Sequence, residues 1–228
     1  MWLTDRRAIP VLGCATVVVF AAFSIWPALD LQISHMFYNG EVFPVEAQRI
    51  IGELRLGVWN ATIVMFWLAV ALGAGAVLLR RPVLGVAARG WAFVIFVFVA
   101  GPGLLVNGML KRFWGRARPA DTTEFGGLAQ FSPPYQITDN CASNCSFVSG
   151  EVSGSTAMAI ALLVILAANR ARLPDWAFRM GQGMAILIPV LTAWQRVAAG
   201  RHFLSDALLA ALFITLIAAV LARVMRLR

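Results

Sequence analysis

The sequence predicts an all-α fold, a bundle of six transmembrane helices in one domain spanning residues 1–228. Three observations carry this. The chain is 60% hydrophobic and 13% charged, with a mean hydropathy of +0.78, which is outside the usual composition of soluble domains. Its apolar residues fall into six runs, each near the roughly 20 residues that cross a bilayer core. The arginines gather at the ends of those runs, so the net charge of +8 reflects membrane topology and not a nucleic-acid partner.

The first run, Ala8–Leu29, follows Arg6 and Arg7 and superficially resembles a signal peptide. It is long for one and lacks a small-residue cleavage site, so it reads as a retained helix. Val58–Leu79 and Trp91–Leu110 give the second and third spans, and Gly101-Pro102-Gly103 is a candidate kink because proline removes a backbone donor. Val152–Ala168 and Met184–Ala199 are the shortest spans, and Phe203–Ala222 is the sixth. Between the first two, segment 30–57 sets Asp30, Glu41, Glu46 and Glu53 among apolar residues. Part of it, Val45–Leu56, predicts an amphipathic helix lying on the interface. His35 stands there without an obvious partner.

The arginines also give the orientation. Arg6, Arg7, Arg80, Arg81, Arg89, Arg170, Arg172, Arg179, Arg223, Arg226 and Arg228 all fall on one side if the helices alternate, out of 19 lysines and arginines in total. The positive-inside rule puts that side, with both termini, in the cytoplasm. Segments 30–57, 111–151 and 200–202 then face outward, to the periplasm of a double-membraned bacterium. Cys141 and Cys145 lie in one of these loops, and in an oxidising compartment a disulfide and two free thiols are both open. Neither histidine lies near a cysteine, so no Cys/His metal cluster is expected and no cofactor is implied.

The cations on the outward side are not explained by topology. Lys111, Arg112, Arg116 and Arg118 stand within eight residues and need anionic partners. Lipid head groups are one candidate, weighed more for Arg112 and Arg116 than for Lys111 and Arg118, and a bound anion is the other. Ser149-Gly150-Glu151 opens the fourth span, where unpaired backbone N–H groups attract anions. Ser149 adds a hydroxyl and Gly150 allows close approach. Glu151 at the mouth of a membrane helix is costly unless it is paired or functional. The stretch from Arg196 to Asp206 completes the set. If a helix opens after Gly200, His202 and Asp206 share a face. Asp206 would then accept the imidazole N–H and leave the other nitrogen free to attack. One pocket could gather Lys111, Arg118 and Arg196 around a phosphate, with Ser149 and Gly150 behind it.

This pattern resembles the type 2 phosphatidic acid phosphatase superfamily. Lys111, six residues, then Arg118-Pro119 matches its first motif. Arg196, five residues, His202, three residues, Asp206 matches its third, with Gln195 replacing the usual serine. Val148-Ser149-Gly150-Glu151 stands where the family has Pro-Ser-Gly-His. The resemblance covers the core at about residues 91–222 and implies a metal-independent phosphatase of a membrane lipid. His202 would be the nucleophile, oriented by Asp206, and Lys111, Arg118, Arg196, Ser149 and Gly150 would bind phosphate. Glu151 would replace the histidine that protonates the leaving oxygen. The stretch Leu29–Ser34 followed by Phe37-Tyr38 is similar to that of bacterial members acting on lipid A or related envelope lipids. Undecaprenyl pyrophosphate and phosphatidylglycerol phosphate would suit the same residues. A transporter, or a cage that binds lipid phosphate without turnover, is the competing class.

Overall fold

A computed structural model describes residues 4–227 as a helical chain without strands. Arg228, assigned above to the basic cluster after the last span, lies outside the described residues. The principal helices are α1 (Ala8–Ile25), α2 (Ala28–His35), α3 (Arg49–Leu78), α4 (Ala88–Phe113), α5 (Gly150–Ala168), α6 (Asp175–Ala198) and α7 (Leu204–Val224). Five of them, α1, α3, α4, α5 and α7, are long and apolar enough to cross a membrane. Helix α6 occupies the place of the expected span Met184–Ala199 and has 24 residues. Asp175, Arg179, Gln182, Gln195 and Arg196 make it more polar than the others.

Two boundaries differ from the sequence expectation, each for a local reason. Helix α1 stops at Ile25 because Pro27 cannot continue it, and Pro27 instead caps the eight-residue α2. The separate interfacial helix Val45–Leu56 does not form. Helix α3 starts at Arg49 and runs 30 residues to Leu78, because no proline interrupts it and extending a helix is easier than nucleating another. At about 1.5 Å per residue it is about 45 Å long, against a hydrocarbon core of about 30 Å. It is therefore longer than a span needs.

Pro102 changes α4 as well. The backbone widens to a π-helix from Val99 to Leu110 and returns to α geometry for Lys111–Phe113. The wider turn accommodates the proline ring, and Asn107 Nδ2 donates to the Pro102 carbonyl at 2.7 Å.

Helix α5 is the centre of the bundle. Every residue from Val152 to Ala161 is buried, against α3, α4, α6 and α7. Small side chains allow that close packing. The hydroxyls of Ser153, Ser155 and Thr156 donate to carbonyls of their own helix, so they are buried without orphaned donors.

At the end of the bundle where α4 and α6 finish, one arginine joins three separate segments. Arg116 has no exposed side-chain surface, and neither has Asp30 or Asp206. Its Nη2 donates to Asp30 at 2.9 Å, its Nη1 to Asp206 at 2.7 Å and to the Ser205 hydroxyl at 2.8 Å, and its Nε to the Ser132 carbonyl at 2.8 Å. The Phe203 ring lies 4.3 Å from the guanidinium carbon and stacks on its face. Asp30 also accepts the Ser205 N–H at 2.9 Å and its hydroxyl at 2.5 Å. Burial pushes the Asp30 carboxyl up, and Arg116 opposes that shift. Of the two partners weighed for Arg116, a bound anion and lipid head groups, the structure shows neither: its anions are the protein's own carboxylates, while Arg112 is exposed.

Removing one member of such a network leaves an uncompensated charge, at a cost of about 3–5 kcal/mol. Arg116→Leu is expected to destabilise the fold by that amount, seen as a lowered Tm in detergent. Arg112→Leu is expected to change stability by less than about 0.5 kcal/mol. Equal Tm values for the two variants would refute the assignment.

Candidate active site

The ends of α4 and α6 and the starts of α5 and α7 meet here, which brings the residues singled out in the sequence to one place. Lys111 lies at the end of α4, 6% exposed. Its Nζ donates to Asn144 Oδ1 and to the Cys145 carbonyl, both at 3.0 Å, which leaves one of its three N–H groups for a ligand. Arg118 Nη2 donates to the Asn144 carbonyl at 2.8 Å. Both cations are thus held by one short loop, which the disulfide between Cys141 and Cys145 closes.

Ser149 is the N-cap of α5, its hydroxyl accepting the Val152 N–H at 3.4 Å, and the first turn beyond it presents free backbone donors. Gly150 is favoured for a steric reason. A Cβ there would stand 3.0 Å from Lys111 Cε and 3.4 Å from Asn107 Oδ1, so a side chain would make the Lys111 stem give by a few tenths of an ångström. Gly200 has φ +65°, and a Cβ there would enter the Phe43 ring at 2.4 Å. This left-handed residue ends α6 and turns the chain toward His202.

His202 stands in that turn, not in the first turn of α7, whose N-cap is Phe203. Its Nδ1 is 2.8 Å from the Ser146 carbonyl and 3.9 Å from Asp206 Oδ2. This corrects the expected direct bond to Asp206. The Asp206 carboxylate is already engaged by Arg116, by the Ser146 hydroxyl at 2.5 Å and by the Phe203 N–H at 3.1 Å. A carbonyl can only accept, so Nδ1 carries the hydrogen and Nε2 holds the free lone pair. Asp206 acts on the imidazole through Ser146. Burial pushes the His202 imidazole down to about 3, with Lys111 and Arg196 adding to the shift and Asp206 opposing it. The ring is therefore neutral at physiological pH.

Arg196 is 3% exposed, yet its Nε and Nη1 have no hydrogen-bond partner among the described residues. The carboxylates around it are too distant or misaligned: Glu151 Oε1 is 3.5 Å from Nη1 and Glu46 Oε2 is 3.9 Å from Nη2. Buried guanidinium N–H groups without acceptors are costly and are suited to receive an anion. Glu151 accepts from Arg55 Nη1 at 2.7 Å.

The structure thus brings together Lys111, Arg118, Ser149, Gly150, Glu151, Arg196, His202 and Asp206. It adds Arg55, Asn144, Ser146 and Arg116, which the sequence did not single out for the site. His35 is elsewhere, packed 4.6 Å from the Phe125 ring centroid and beside Tyr38. The available signal for Arg116 was Asp30, an acid at the end of an apolar run that had to have a partner.

A neutral imidazole with a free nitrogen, set among cations where membrane-spanning helices end, is the arrangement of a membrane enzyme acting on phosphate esters. Residues 90–228 match the family model of the PAP2 superfamily, and the chain belongs to that superfamily. It is a phosphatase, a hydrolase of phosphoric monoesters. It is 29% identical over 212 residues to a lipid A 4'-phosphatase of Francisella tularensis subsp. novicida, covering 87% of this chain and 88% of the relative. A lipid A 4'-phosphatase of Rhizobium leguminosarum is 30% identical over 212 residues, 84% of each chain. A transmembrane PAP2-type phosphatidylglycerolphosphate phosphatase from Bacillus subtilis shares the fold, with a TM-score of 0.63 at 22% identity over 97% of this chain and 98% of the other.

The buried state of His202 has a consequence for stability. Unfolding exposes an imidazole that protonates near its ordinary value of 6.5, whereas the folded one does so near 3. The stability tied to the neutral ring is complete above 6.5 and is lost as the pH falls from there toward 3. Between pH 7.5 and 5 the Tm of the wild type is expected to fall more than that of His202→Asn. Equal falls would show that His202 is not buried as a neutral ring.

Proposed function

We propose that this membrane phosphatase removes a phosphate monoester from lipid A, or a closely related envelope lipid, through a phosphohistidine on His202. The observation that carries the reading is Arg196: a buried guanidinium with unpaired N–H groups beside an imidazole whose Nε2 is free. The relatives' activity on lipid A supports the choice of substrate.

In the first step His202 Nε2 attacks phosphorus and the bond to the sugar oxygen breaks. Lys111, Arg118 and Arg196, with the Ser149 hydroxyl and the Gly150 amide, bear the charge on the non-bridging oxygens. Glu151, freed as the guanidiniums turn to the incoming phosphate, relays a proton from solvent to the leaving oxygen. In the second step a water molecule loses a proton to Glu151, attacks phosphorus and releases inorganic phosphate, regenerating His202.

We further read α6 as a sixth span, so that the helices alternate and the chain works as one domain. The basic residues at the far end then lie in the cytoplasm with both termini. The site faces the periplasm from a bacterial inner membrane, with the bilayer and its anionic lipid as partners.

Phosphate release in detergent from lipid A, undecaprenyl pyrophosphate and phosphatidylglycerol phosphate tests this. Lipid A is expected to be the best substrate and His202→Ala to abolish release. Turnover surviving in His202→Ala would overturn the mechanism, and a preference for another lipid would overturn the substrate. Glu151→Gln is expected to lose about a hundredfold or more on lipid A but little on p-nitrophenyl phosphate, whose leaving group needs no proton. Equal losses on both would remove Glu151 as the proton donor.

A further inference from the structure

We propose that Arg55 is a further anion-binding residue of this pocket, held there by Glu151 until a substrate phosphate displaces the carboxylate. The proposal rests on the pocket taking a phosphate, but not on which lipid carries it. Arg55 lies on α3, outside the matched residues 90–228, so no motif of the family assigns it.

The geometry places it at the reacting site. Arg55 Nη1 is 2.7 Å from Glu151 Oε1, and the same oxygen is 3.5 Å from Nη1 of the buried Arg196. One carboxylate oxygen is therefore shared by two guanidiniums, much as a phosphate oxygen can be. The Arg55 and Glu151 side chains are 30% and 22% exposed, so an incoming ligand can reach the pair. Arg55 lies in the second turn of α3 and reaches the site from another side.

The charge balance points the same way. Lys111, Arg55, Arg118, Arg196 and Arg201 share the mouth with Glu46, Asp121, Glu151 and Asp206, and Asp206 is bonded to the buried Arg116 that also holds Asp30. Six cations against five carboxylates leave the mouth cationic, as suits an anionic ligand. An ion pair formed only for stability would gain little at this exposure. As a phosphate ligand Arg55 contributes a planar fork that a lysine would not.

Binding of orthovanadate, a phosphate mimic, to wild type, Glu151→Gln and the Glu151→Gln/Arg55→Gln double variant tests this by competition or calorimetry. The double variant leaves no orphaned charge, so it is the safer one to fold. If Glu151 competes with the anion for Arg55, Glu151→Gln binds vanadate as tightly as wild type or more so. Adding Arg55→Gln then weakens binding by about tenfold, with a parallel rise in KM for the lipid and kcat changed less than about threefold from Glu151→Gln. Vanadate affinity and KM within twofold between Glu151→Gln and the double variant would overturn the role of Arg55. A wild type that binds no vanadate would instead overturn the phosphate pocket, and Arg55 with it. Normal vanadate behaviour without turnover of lipid A would leave Arg55 in place and refute only the choice of lipid.

Discussion

The site depends on a single guanidinium that never meets solvent. Arg116 joins Asp30 of α2 to Asp206 of α7 and takes the Ser132 carbonyl of the intervening loop. With aromatic rings over its face, it excludes water from two carboxylates that would otherwise repel one another. That constraint passes outward in steps. Arg116 fixes one oxygen of Asp206, the other oxygen fixes the Ser146 hydroxyl, and the Ser146 carbonyl fixes the imidazole. The orientation of His202 is therefore set two residues away from any charge it touches.

The cations divide by what they are bonded to. Arg116 is bonded to carboxylates and its charge is used up inside the protein. Lys111 and Arg118 are bonded to carbonyl and amide oxygens of Asn144 and Cys145. Those neutral acceptors hold a cation in place without cancelling its charge, so the field of both remains available to an anion. Arg55 and Arg196 form a third kind: Arg55 is paired with Glu151 in a contact that a better acceptor can displace, and Arg196 stands 3.5 Å from the same oxygen with its Nε and Nη1 unbonded among the described residues. Low surrounding polarity strengthens each of these interactions, and it also makes an unfilled donor such as Arg196 Nε expensive to keep.

How much of this was legible in the sequence follows from the range of each interaction. Apolar runs are local, so five spans could be read, their ends displaced chiefly where Pro27 stops α1 and where α3 begins at Arg49 instead of Val58. The residues of the two matched motifs could be read because each lies within a dozen positions of the others in its motif. The polar scaffold could not. Arg116 meets Asp30 across 86 residues and Asp206 across 90, and Arg55 meets Glu151 across 96. No periodicity connects such pairs, and Arg116 sat in a basic cluster whose four members meet different partners, only Arg112 being exposed. The bond from His202 to Ser146 was hidden by a plausible nearer partner: Asp206 has the right spacing for the imidazole, but its lone pairs are already taken.

Depth then limits what the proposed substrate can be. Lys111 ends a membrane-spanning helix and the next two residues diverge, Arg112 and Phe113 both being exposed, as suits a boundary between head groups and acyl chains. Arg55, in the second turn of α3, reaches the same site from another side. Cations from three directions thus converge on the place proposed for a lipid phosphate. A lipid arrives already confined to the right depth, which removes one translational freedom before binding and lowers the entropic cost of orientation. The polar site and the apolar chain around it are therefore one adaptation: the helices set the height, and the buried arginine sets the angle at which the histidine meets the phosphate.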